Sequence, residues 1–181
     1  MALTVVATPL DPACNSYVSL AEMVTYVSER MSEADAELWN ELDSASKARY
    51  VVNATRALDS FVEWIGVRYS DTQKLKWPRF EAEVDGVDLD YLTFPQAVKH
   101  ATCELAFWMA SNDGSVAVRQ QAAFDSVKVG PININFNEQA GGSLDKYFPD
   151  SVAIILRDYG SIANPNLPGS KQVKMARLLR A

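Results

Sequence analysis

Trp77 is followed directly by Pro78, between two long segments whose apolar residues recur at helical spacing. Proline lacks a backbone N–H, its ring clashes with the preceding turn, and it drives the residue before it out of helical geometry. The two segments must therefore form separate helices, with a turn of chain between them. That turn, Thr72 to Phe80, reads TQKLKWPRF. Leu75, Trp77 and Phe80 are too apolar for a solvated linker, so the loop is expected to be rigid and to bury side chains.

The flanking helices carry their own start and stop signals. Ser19 and Glu22 form an S-x-x-E capping box, and Val18 with Met23 occupies the positions of a hydrophobic staple. Leu20, Met23, Val24 and Val27 then make a one-sided stripe that should end near Arg30, followed by a short helical turn around Ala34 to Trp39. The longest helix is expected from Asp43 or Ser44, with Val51, Thr55, Leu58, Val62 and Ile65 on its buried face and Gly66 ending it. Pro95 suits the first turn of the next helix, whose stripe is Val98, Ala101, Leu105 and Trp108.

Between the loop and that helix, Phe80, Ala82 and Val84 alternate before Asp85-Gly86, and Val87, Leu89 and Tyr91 alternate after it. An Asp-Gly pair between alternating runs is a hairpin signal. Further on, Val127 and Val129 alternate, then Ile132, Ile134 and Phe136, with Gly130-Pro131 between them. This reads as two strand halves at a sheet edge, because proline cannot donate to an inner ladder. Pro149 to Tyr159 reads as a last short helix.

Net charge is -6, but no acid follows Asp158, while Lys171, Lys174, Arg177 and Arg180 do. Taking that +4 from the total leaves -10 on the first 158 residues. An acidic body argues against a surface that binds nucleic acid all over. The basic end, with Val173, Met175, Leu178 and Leu179 among its cations, suits phosphate contacts, docking on another protein or a disordered tail. No aromatic residue follows Tyr159, so base stacking is not expected from that end. Prolines, asparagines and a glycine from Ser161 onward mark it as an extended arm.

Residues for catalysis are scarce. His100 is the only histidine, and nothing lies at a zinc or triad spacing from it. Cys14 and Cys103 give no disulfide framework or metal motif and read as reduced thiols. Asp85, Asp88 and Asp90 do not follow the order of a calcium loop, and the alternation explains them instead, with Asp88 and Asp90 on the solvent face of the hairpin. No phosphate-binding glycine motif or nucleophile elbow occurs. No secretory leader or membrane-spanning helix is expected either. The expectation is a non-enzyme with no cofactor and no metal.

Three stretches together resemble a known family: SYVSLAEMVTYVSER, then ATRALDSFVEWIGVRYSDTQKLKWPR, then GVDLDYLTFPQAVKHATCELAFWMA, running on into VKVGPININF. In order, they give a helix, the pattern Gln73-x-Leu75-x-Trp77-Pro78-Arg79, a hairpin and a Pro95-led helix. This order is similar to the head–tail adaptor (connector) proteins of tailed bacteriophages over about residues 16–137. The resemblance implies a mainly α fold, a small helical bundle with a β-hairpin over residues 1–160 and an extended basic arm over 161–181. It implies a structural protein of the virion neck, made in the host cytoplasm, forming a ring, usually of twelve copies, that joins portal to tail while DNA passes through. Its expected partners are the portal protein, downstream tail or neck proteins and its own copies, with no membrane. The portal-docking arm would comprise Lys171, Lys174, Met175, Arg177, Leu178, Leu179 and Arg180. Subunit or neck contacts would fall on Trp77, Arg79, Val127, Val129, Ile132, Ile134 and Phe136, the edge strands being templates for a neighbour's strand. For Trp77 and Arg79 the alternative is internal: the indole plugs a gap beside the helices and Arg79 pairs with an acid. Sequences of this type are also often labelled DnaT-like single-stranded-DNA-binding proteins, which gives the alternative function.

Overall fold

The computed structural model describes residues 3–112, 126–129, 132–135 and 148–162. Its first three helices are α1 (Leu20–Arg30), α2 (Glu33–Glu41) and α3 (Ser44–Phe61). The capping box of α1 forms as read: Glu22 N donates to Ser19 Oγ at 3.2 Å, and Ser19 N donates to Glu22 Oε2 at 2.8 Å. Glu22 Oε1 also accepts from Lys99 Nζ at 2.6 Å, tying α1 to the fourth helix. The buried side of α1 is Met23, Tyr26 and Val27, whereas Val24, expected in the stripe, is exposed. Asp43 caps α3 by accepting from the backbone N–H groups of Ala45 and Ser46.

The long helix ends at Phe61 rather than at Gly66. Val62 begins β1 (Val62–Trp64), which pairs antiparallel with β8 (Gly160–Ile162) from the other end of the described chain. A distant strand thus supplies the hydrogen bonds that a further helical turn would have made internally. Ser161 and Ile162, expected at the start of the arm, lie in this pair.

Gly66 does adopt a left-handed conformation, φ 71°, but in the turn between β1 and β2 (Val67–Arg68). A Cβ there would stand 2.3 Å from the carbonyl oxygen of Phe80. Gly66→Ala should therefore lower stability by about 2 kcal/mol, from the left-handed backbone and the clash together. Urea denaturation checks this; an unchanged midpoint would mean that the turn can rearrange.

Strand β2 pairs with β3 (Arg79–Phe80), and β4 (Glu83–Val84) pairs with β5 (Val87–Asp88) across Asp85-Gly86. Both turn residues have positive φ, 53° and 81°, the geometry of a two-residue primed turn. The fourth helix, α4 (Gln96–Ser111), is the spine of the bundle, packed on α3 and on α5 (Asp150–Leu156). Pro95 stands one position before its first turn, as N-cap. The two expected strand halves, β6 (Ser126–Val129) and β7 (Ile132–Asn135), pair antiparallel, in register Val127↔Ile134 and Val129↔Ile132.

The fold is mainly α with small antiparallel strand pairs, as the sequence predicts. Its core runs from Tyr17 and Val18 through Met23, Trp39, Val51 and Leu58 to Val98, Leu105, Met109, Val152 and Leu156. None of the described helices is long and apolar enough to cross a membrane.

Candidate nucleic-acid interface

Residues 69–78 leave β2 and return at β3, and every residue type of the Q-x-L-x-W-P-R pattern has an internal task. Gln73 staples the loop: its Oε1 accepts from Ser70 N, and its Nε2 donates to the carbonyls of Leu75 and Pro78. Leu75 is buried and Trp77 is only 1% exposed. The Trp77 ring meets Trp64 edge-on at 5.9 Å, and Tyr17 in turn meets Trp64 and Phe94 edge-on. The Trp77–Pro78 peptide bond is cis.

Two anchors fix this loop to the bundle. Tyr17 donates its hydroxyl to Asp59 Oδ1 on α3 and accepts from Trp77 N at 3.3 Å. Lys76 N donates to Asp59 Oδ2 at 3.0 Å. Burial raises the Asp59 carboxyl above its usual range even though these donors oppose it. Burial, reinforced by the neighbouring carboxylate, also raises the Tyr17 phenol well above its ordinary value.

Arg79 closes the loop in a way the sequence does not reveal. Among the described residues its guanidinium pairs with no acid; it donates to the carbonyls of Ile65 at 2.5 Å, Gly66 at 2.6 Å and Lys76 at 3.1 Å. Burial pulls its pKa below the ordinary guanidinium value. Directly opposite on the ladder, Arg68 reaches the carbonyl of Gln73. The expected acid partner is thus replaced by backbone carbonyls clustered where the chain turns at Gly66.

With both arginines on one side of the β2–β3 ladder, the other side is apolar. Val67 stands opposite Phe80, and Tyr69 follows Val67 two residues on, so all three share a face. Tyr91, beyond the acidic hairpin, completes the cluster. The Tyr69 and Phe80 rings stack at 4.8 Å between centroids, Tyr69 and Tyr91 lie 6.0 Å apart and 9° from parallel, and Phe80 and Tyr91 meet at 4.9 Å. Tyr91 is 47% exposed, Phe80 39% and Val67 57%, which leaves a contiguous apolar and aromatic surface in water. Acids lie close in sequence, with Glu81 beside Phe80 and Asp90 beside Tyr91. Sequence reasoning placed Phe80 among the loop's apolar side chains and in strand alternation, placed Tyr91 in the alternation alone, and did not single out Tyr69; Phe80 is exposed where the loop was expected to bury it. No short-range pattern links the three; the β2–β3 pairing brings Tyr69 to Phe80, and Tyr91 joins them from beyond the β4–β5 hairpin.

The whole chain, residues 1–181, matches the family described as "Putative DnaT-like ssDNA binding protein". The chain belongs to this family. No curated protein and no solved structure is significantly similar to it. The DnaT-like assignment corrects the expectation of a virion protein of the phage neck, a head–tail connector that binds portal and forms a ring. The structure gives the physical reason why that resemblance misled. Gln73, Leu75, Trp77 and Arg79 are spent inside the loop, so their pattern encodes a fold and reports no assembly partner. Trp77 is a core residue, which answers the choice the sequence left open for it.

Of the other expected contact residues, Val127, Val129, Ile132 and Ile134 lie on the β6–β7 pair. Phe136 and the arm residues Lys171, Lys174, Met175, Arg177, Leu178, Leu179 and Arg180 lie outside the described residues. His100 packs on Tyr26 and hydrogen-bonds Gln96, and burial together with Arg30 lowers its pKa. Burial pushes the Cys103 thiol up to about 12, far from a reactive thiolate.

Proposed function

We propose that this chain binds single-stranded DNA, with bases stacking on the Tyr69, Phe80 and Tyr91 surface. The observation that carries this reading is the exposed aromatic cluster, held on a rigid ladder by the Arg79 clamp. Base–aromatic stacking tolerates any sequence because every base has a π-face. The family description points to the same ligand class. The protein acts by binding and has no catalytic role in this reading.

Charge sets the character of the binding. A body at -10, with Glu81 and Asp90 close to the rings, repels phosphate, so stacking must carry most of the affinity. Lys171, Lys174, Arg177 and Arg180 supply cations from the C-terminal end and add phosphate contacts. The result is modest affinity that weakens with salt. Fluorescence anisotropy with a labelled oligothymidylate tests this. Saturable binding is expected, displaced by unlabelled single strands and poorly by duplex. Equal competition by duplex, or no binding at low salt, would sink the proposal.

A further inference from the structure

A second surface supplies what the aromatic cluster lacks. Between α3 and the loop lies an open groove of about 620 Å³, lined by Cys14, Asn15, Arg56, Asp59, Ser60 and Lys74 among others. Most of its polar groups are already committed. Asn15 accepts from Val6 N and donates to Thr4 O, and the Ser60 hydroxyl donates to the Arg56 carbonyl. Asp59 holds the Tyr17 hydroxyl and the Lys76 N–H, one on each oxygen. What remains is the Arg56 guanidinium and the Lys74 ammonium, both on exposed residues. Among the described residues neither forms an ion pair, the only such pairs being Lys99–Glu22 and Arg157–Asp158.

Resting on the single-stranded-DNA reading, we infer that this groove holds the phosphate backbone of the bound strand, through Arg56 and Lys74. Two unpaired cations at the lip of a groove suit an anion, and Arg can meet a phosphate with two parallel hydrogen bonds. The connection to the stacking surface is covalent. Lys74 sits in the loop that carries Tyr69 and Phe80 at its two ends, within about 18 Å of extended chain from Tyr69. The loop cannot flex freely over that span, because Gln73, Asp59 and Arg79 pin it at three points. A strand stacked on the rings is therefore offered a fixed cationic groove a few nucleotides away.

The test is the salt dependence of oligothymidylate binding. Each phosphate neutralised on a single strand contributes about 0.7 to the slope of log K against log salt. The double variant Arg56→Gln/Lys74→Gln should bind about tenfold more weakly at low salt, with the slope shallower by about 1.4. Each single substitution should carry about half of the change, and Arg56→Lys/Lys74→Arg should restore the slope. Both side chains are exposed, so thermal unfolding of these variants should match the parent. A slope unchanged in the double variant overturns the assignment while leaving the stacking reading intact. A parent protein that binds no single strand removes both.

Discussion

Trp77→Ala should destabilise the fold by about 3–5 kcal/mol, a large share of the 5–15 kcal/mol that holds a typical domain together. The indole is only 1% exposed and packs edge-on against Trp64, whose ring meets Tyr17, which meets Phe94. Removing it opens a cavity at one end of that series, and the backbone can relax little because Asp59 and Arg79 hold the loop from both sides. Trp77→Phe refills part of the volume and should cost markedly less. Urea denaturation at several protein concentrations separates this from an interface role. The loss should be the same at every concentration, since the contacts lie within one chain. A variant as stable as the parent, altered only in self-association, would show that the indole anchors a partner instead.

Local signals were legible, and long-range pairings were not. The Ser19–Glu22 capping box, the Asp43 cap and the Asp85-Gly86 turn depend on residues a few positions apart, and all form as read. The end of α3 does not, because Val62 and Ile65 continue the helical spacing while their strand partner arrives from Gly160 to Ile162. Val24 fits a helical stripe by spacing alone, yet the neighbouring helices meet the side of α1 that carries Tyr26. Arg79 was legible as an important residue but its partners were not. Backbone carbonyls look alike in any sequence, and only the turn at Gly66 aims several of them at one point. The loop motif thus predicted architecture well and function poorly. Its conspicuous residues face inward, while the surface with chemistry to offer is built from tyrosines and a phenylalanine that no motif connects.

Tyr91→Ala should weaken oligothymidylate binding by about 5- to 150-fold, the range set by 1–3 kcal/mol for each base stacked on an aromatic ring. Tyr91 is the member of the cluster best suited to isolate this effect. It lies outside the β2–β3 ladder and is half exposed, and its removal leaves the Tyr69–Phe80 stack in place. Stability should change little, so lost binding would not reflect lost structure. Tyr91→Phe keeps the ring and should bind nearly as the parent does, which excludes the hydroxyl as the cause. Tyr91→Leu keeps an apolar side chain without a π-face and should behave like the alanine variant. The salt slope should remain that of the parent in all three, because no phosphate contact is removed. Parent-like affinity in Tyr91→Ala would take the cluster out of the interface. Equal recovery by leucine and phenylalanine would instead make it an apolar patch, suited to a protein partner and not to bases.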